Sequence, residues 1–155
     1  MKQVRNGVFE TNSSSVHAIS IDSSGREPSQ FQLNEHGKIE ISFGSFGRES
    51  RTYYSQYDKL SYLMTCLYYI AGDDKEVIYD MYEFERIEGI ICNYAKATGI
   101  EILDDVEPCI DHQSIPYGNI EIINSWDKDE VIDFVFNKYI RLKTYSDWGG
   151  NYETD

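Results

Sequence analysis

Residues 38–71 read KIEISFGSFGRESRTYYSQYDKLSYLMTCLYYIA, and the spacing of their apolar side chains changes once along the way. Over Lys38–Phe43, Ile39, Ile41 and Phe43 alternate with Lys38, Glu40 and Ser42. That is the period of a strand with one buried face. The stretch Gly44–Arg51, with glycines at 44 and 47, then turns the chain. From Gln56 to Ala71 the period becomes helical, with Leu60, Leu63, Met64, Leu67, Tyr68 and Ala71 along one stripe and Gly72 as its stop.

Downstream, Asp74–Ala97 reads as a second helix, with Val77, Met81, Phe84, Ile87, Ile91 and Tyr94 at helical spacing. Asp73 suits its N-cap, Glu76 the capping-box position, and Gly99 its stop. Ile100–Leu103 is a short strand, Asp104–Gly118 a loop with two prolines, and Asn119–Ile123 a strand. Asp127–Tyr139 is a third helix, capped by Asp127 with Glu130 at the box position, and Ile140–Thr144 a last strand. Upstream, Val4–Phe9 and Val16–Ile21 read as strands around a polar turn, and Ser23–Gly37 as a loop. The elements do not alternate strictly. The expected architecture is α+β, a mainly antiparallel sheet packed against about three helices. One domain is expected over residues 1–145, followed by a tail at 146–155.

The charge is lopsided. The first sixty residues hold seven acids and seven bases, whereas the remainder holds twenty acids and seven bases, the source of the net −13. Such a surface repels phosphates, so direct nucleic-acid binding is not expected. It suits solubility, a basic protein partner, or imitation of a nucleic-acid backbone. No apolar run is long enough for a membrane span, and the N-terminus lacks the apolar core of a secretory signal. Cys66, Cys92 and Cys109 are widely and irregularly spaced. Free thiols in a reducing cytoplasm are therefore expected.

Two polar stretches stand apart. Thr11, Asn12, Ser13, Ser14 and Ser15 form an uncharged polar run, and His17 follows two residues later. Nearly a hundred residues on, Asp111, His112, Gln113 and Ser114 place a carboxylate, an imidazole, an amide and a hydroxyl in one predicted loop. The stretch GVFETNSSSVH at Gly7–His17 resembles the opening of a group of small uncharacterised proteins from bacteria and their phages. FGSFG at Phe43–Gly47, KLSYLMT at Lys59–Thr65 and IDHQS at Ile110–Ser114 extend the resemblance through the chain. It implies a phage or mobile-element setting, and a site assembled from the TNSSSxH and DHQS stretches, rather than a particular reaction.

On chemistry alone, His17, Asp111, His112 and Ser14 are the catalytic candidates. An imidazole titrates near neutrality, and a carboxylate can orient it to activate a serine. The ligand-binding candidates are Thr11 to Ser15, His17 and Asp111 to Ser114. No GxSxG is present, and no glycine-rich phosphate loop with its lysine. No CxxC or HxxxH spacing joins His17, His36, Cys109, Asp111 and His112, so neither a metal nor a cofactor is expected. Tyr53, Tyr54, Tyr57, Tyr62, Tyr68 and Tyr69 cluster around the first helix, split between core and interface roles. The leading reading is a phage-type protein that binds a host protein, as an anti-defence inhibitor or nucleic-acid mimic. The alternative is a small enzyme or nucleotide-binding protein built on TNSSSxH and DHQS.

Overall fold

Helix α1, Gln56–Ile70, is covered on every side through its middle: Lys59 to Leu67 are buried without interruption. Leu60, Leu63, Met64 and Leu67 enter the core as their spacing predicts, with Tyr68 and Ala71 half-buried at its margin. The computed structural model describes residues 7–10, 23–110 and 125–144, the first of these by backbone pairing. Ser55 caps α1, its hydroxyl accepting the Asp58 amide at 3.0 Å. The end closes as a Schellman motif, with Asp73 N–H on Tyr68 C=O at 3.1 Å and Gly72 N–H on Tyr69 C=O at 3.2 Å. Gly72 takes φ +77°, so the predicted stop is where the helix ends.

The buried polar side chains of α1 are what attach the other segments to it. Gln56 Nε2 donates to Pro28 C=O at 3.0 Å and its Oε1 accepts the Gln30 amide at 2.7 Å. Ser61 Oγ donates to Ser42 C=O at 2.7 Å, and Thr65 Oγ1 accepts the Gly44 amide at 3.0 Å. Lys59 Nζ donates to the carbonyls of Asn137 and Ile140, near the end of the third predicted helix. A buried polar group left unmade costs about 1–3 kcal/mol, so these bonds select one arrangement of the surrounding chain.

Seven strands lie among the described residues: β1 (Gly7–Glu10), β2 (Lys38–Ser42), β3 (Ser45–Phe46), β4 (Arg51–Tyr53), β5 (Gly99–Leu103), β6 (Cys109–Ile110) and β7 (Ile140–Thr144). They form a β1-β7-β4 sheet and the pairs β2-β5 and β3-β6. The fold is mixed α/β, but the sheets are not mainly antiparallel. β1–β7, β2–β5 and β3–β6 are parallel, and β4–β7 is the one antiparallel ladder among the described residues. Parallel neighbours need a long crossover. Here the helices between β2 and β5 supply one crossover, although in sequence they read as a break in strand–helix alternation. Ile39 and Ile100, and Ile41 and Ile102, face each other in register and are all buried. Burial of each stabilises by about 1.5–3 kcal/mol.

These fragments are too narrow to satisfy their own edges, and side chains stand in for missing strands. Ile102 N–H donates to Tyr79 Oη at 2.9 Å, and Ile100 N–H to Glu88 Oε2 at 2.9 Å, along one edge of β5. Ser42 N–H uses Tyr57 Oη at 2.9 Å, and Ile110 N–H uses Tyr69 Oη at 3.2 Å. Several tyrosines thus have a third role, beyond core and interface: they close sheet edges.

The predicted second helix is two. Asp73 has φ +66°, and Asp74 rather than Asp73 caps α2 (Lys75–Ile78), accepting the Glu76 amide at 3.0 Å. Met81, extended at ψ 141°, then begins α3 (Tyr82–Ala95). In one continuous helix Ile78 and Phe84 would lie about 120° apart around the axis at about 100° per residue. The break lets both reach the core, while Val77 turns outward. Gly99 is not the stop: Lys96 adopts the left-handed conformation at φ +60°, and Gly99 instead opens β5. The capping box of the last described helix, α4 (Lys128–Phe136), is formed as predicted by Asp127 and Glu130. Four helices, rather than about three, lie among the described residues. The expected strands Val16–Ile21 and Asn119–Ile123 and the tail at 146–155 lie outside them.

Candidate functional site

Thr11, Asn12, Ser13, Ser14, Ser15, His17, Asp111, His112, Gln113 and Ser114 all lie outside the described residues. The strands that lead into both stretches are described. β1 ends at Glu10 beside Lys143 of β7, whose other side pairs with Thr52. β6 ends at Ile110 beside Phe46 of β3. The segment from Phe46 to Arg51 joins β3 to β4 directly, and the Phe46 and Tyr53 rings meet edge-on at 5.2 Å. Glu10 and Ile110, the residues that precede the polar run and the DHQS stretch, therefore lie at strand ends coupled through one four-residue connection, Gly47–Ser50, whose five Cα steps from Phe46 to Arg51 span at most about 18 Å. His36 is exposed and lies 3.5 Å from Glu35. No group of three metal-ligating side chains occurs among the described residues.

Over the first turn of α1 runs a cleft in two lobes, about 360 Å³ and about 260 Å³, which share Gln30, Ser55 and Gln56 as walls. Phe31 and Tyr57 line the larger lobe; Lys59, Tyr54 and Phe136 line the smaller. Lys59 is the residue that sequence reading missed. It is 1% exposed, and Nζ donates to Ile140 C=O at 2.8 Å and to Asn137 C=O at 3.2 Å. Asn137 is the C-cap of α4, so the ammonium sits on the negative end of that helix. Burial pulls its pKa down to about 8, and Glu27 partly opposes the shift. A signal was present in the sequence: Lys59 falls four residues before Leu63, on the apolar side of the helix. Its role is to join α1 to α4 and β7.

Arg26 anchors the chain before the cleft. Its Nε and Nη2 grip Asp133 Oδ1 and Oδ2 at 2.7 and 3.2 Å, and Nη2 also reaches Asp129. The hydrogen bond to Asp133 holds the guanidinium pKa above its ordinary value against the effect of burial. The pair fastens one wall of the cleft to α4.

The acidic face is elsewhere, on α2, the start of α3 and the β5–β6 loop. Residues 73–88 hold seven acids and two bases. Both bases turn to backbone carbonyls, Lys75 Nζ to Ile102 C=O at 3.4 Å and Arg86 Nη2 to Trp126 C=O. Asp73, Asp80 and Glu85 have no ion pair among the described residues, and all three are exposed. The phenol of Tyr68 is pushed up first by burial and then by Asp73, Tyr69, Glu107 and Asp104. The end of the loop meets the end of α1, where the Ile110 amide donates to Tyr69 Oη at 3.2 Å and the Tyr69 ring lies 5.8 Å from that of Tyr68. Asp104, Asp105 and Glu107 are exposed there.

No helix among the described residues is long and apolar enough to cross a membrane. No protein-family model matches the chain, and neither a curated protein nor a solved structure is significantly similar to it.

Proposed function

We propose that this is a small acidic binding protein of phage type, which docks on the basic surface of a host protein and there takes the place of a nucleic-acid backbone. The observation that supports this is the fate of the cations on the acidic face. Lys75 and Arg86 are spent on carbonyls, and the carboxylates of Asp73, Asp80 and Glu85 face solvent without an ion pair among the described residues. A surface evolved only for solubility would gain from interspersed pairs; uncompensated charge of one sign steers a partner of the other.

The test is capture from host lysate on the immobilised full chain, followed by affinity measurements across ionic strength. Binding should weaken steeply between about 50 mM and 500 mM salt, as screening shortens from more than 10 Å to a few ångströms. It should fail for the Asp73→Lys, Asp80→Lys, Glu85→Lys triple variant and persist for a Glu35→Lys control. Affinity indifferent to salt and to these reversals would overturn the reading.

A second reading, a small enzyme or nucleotide-binding protein, is supported by the strand ends that bring Glu10 and Ile110 to the two sides of the Phe46–Arg51 connection. Spin labels at positions 13 and 113 should then lie within about 20 Å, allowing for the reach of the labels and the chain. A separation beyond 30 Å would exclude a shared site.

A further inference from the structure

We infer that the face formed by α2, the first turn of α3 and the β5–β6 loop is the docking surface, and that its occupant is a basic segment of a partner protein carrying an apolar row between its lysines and arginines. This rests on the binding reading above and deepens it. Charge alone would accept any polycation. What narrows the partner is that the acids surround exposed apolar side chains: Tyr82 is 68% exposed, Val106 42%, Val77 40% and Tyr79 36%.

Tyr79 is held at both ends while its ring stays accessible. Its hydroxyl accepts the Ile102 amide at 2.9 Å, and its ring meets Phe84 edge-on at 5.3 Å. An aromatic surface fixed in this way loses little further entropy when covered. Tyr82 begins α3 directly after the extended Met81. The face of a tyrosine ring attracts a guanidinium or ammonium as well as apolar groups. Asp105 and Glu107 flank Val106, and the loop is held at both ends, by Tyr79 Oη on the Ile102 amide at 2.9 Å and by Tyr69 Oη on the Ile110 amide at 3.2 Å, which places it beside α2 and the end of α1. A partner lying here would set its apolar row on Val77, Tyr79 and Tyr82, and its cations between Asp80 and Glu85 on one side and Asp73, Asp104 and Glu107 on the other. A second copy of this chain is a poor occupant, since it would bring the same uncompensated carboxylates into contact.

Two probes test the inference on the full chain at low salt: a helical peptide of leucine and lysine with all leucines on one face, and an oligolysine of equal charge. The amphipathic peptide should bind at least about tenfold more tightly than oligolysine. Its amide shift changes should centre on residues 77–82 and 104–107. The Val77→Ser, Tyr82→Ser, Val106→Ser variant changes only exposed side chains. It should lose about tenfold for the amphipathic peptide and nothing for oligolysine. Equal binding of both peptides, unaffected by the variant, overturns the docking face and leaves the electrostatic reading standing. Failure of both peptides to bind overturns both. A stable dimer that buries residues 77–82 without any peptide overturns the assignment of a basic partner.

Discussion

The ammonium of Lys59 lies 2.8 Å from the carbonyl oxygen of Ile140, in the interior, with no carboxylate within ion-pairing distance among the described residues. A cation is thus used as a helix-end clamp. The same bond that joins α1 to β7 carries a desolvation cost, so stability depends on pH at this position.

The sign follows from the direction of the shift. The native pKa is about 8 against 10.5 for an unperturbed lysine, so the unfolded chain binds this proton more tightly. Between pH 8 and 10.5 the unfolded state holds more protons, and Lys59 makes stability rise with pH across that window. At about 1.4 kcal/mol per unit the full effect is on the order of 3 kcal/mol. Tyr53, Tyr68 and Tyr69, whose pKa values are raised, oppose it above pH 10 because their native forms hold the proton longer. Urea unfolding from pH 7.5 to 9.5 should show the rise in the native chain and lose it in Lys59→Met. The variant should also cost about 1–3 kcal/mol at pH 9.5, where two carbonyls lose their donor. A slope unchanged by Lys59→Met would refute the clamp.

Tyr79→Phe removes the hydroxyl that closes the β5 edge while keeping the ring against Phe84. Stability should fall by about 1 kcal/mol, and hydrogen exchange at the Ile102 amide should quicken more than at Ile39. Tyr57→Phe should cost less. The Tyr57 bond to the Ser42 amide is exposed, whereas that of Tyr79 to the Ile102 amide is part-buried, so water can take over only the former.

Asp127→Ala removes the carboxylate that accepts the Glu130 amide at 2.9 Å at the start of α4, and leaves of the capping box only the backbone N–H of residue 127 donating to Glu130 Oε1. A loss of about 1 kcal/mol is expected, against a few tenths for Glu130→Ala, which leaves the cap itself intact. Equal losses would mean that the box does not set this helix end.

The buried thiols should be inert in the native state. Burial pushes Cys66 up to about 12 and Cys92 up to about 11, Glu88 adding to the second. At pH 8 the Cys66 thiolate is then about one part in ten thousand. Iodoacetamide mapped by mass spectrometry should modify half-buried Cys109 in minutes, and Cys66 and Cys92 only on unfolding. Rapid native labelling at Cys66 would contradict the core position of α1.

Local chemistry was readable from residues alone. The alternation in Lys38–Phe43, the stripe of α1, Gly72, the Asp127 box and Ile140–Thr144 each depend on neighbours within a few positions. The structure keeps all of them. The break between α2 and α3 is different in kind. Residues 74–97 satisfy helical spacing continuously, and the division at Tyr79–Met81 is what brings both Ile78 and Phe84 into the core. Strand direction was likewise out of reach, because alternation is the same in parallel and antiparallel ladders. Whether a run of helices is a crossover depends on where the next strand lands. For the polar stretches, residue types nominated Thr11 to Ser15, His17 and Asp111 to Ser114, which lie outside the described residues; what the strands fix is Glu10 beside Lys143 and Ile110 beside Phe46.

The composition determined an acidic second part of the chain. Tertiary structure alone decided where that charge is uncompensated. Lys75 and Arg86 sit among acids in sequence, yet in space their cations go to the carbonyls of Ile102 and Trp126. A long flexible side chain goes to the acceptor that the fold leaves open, and sequence neighbours do not reveal which acceptor that is.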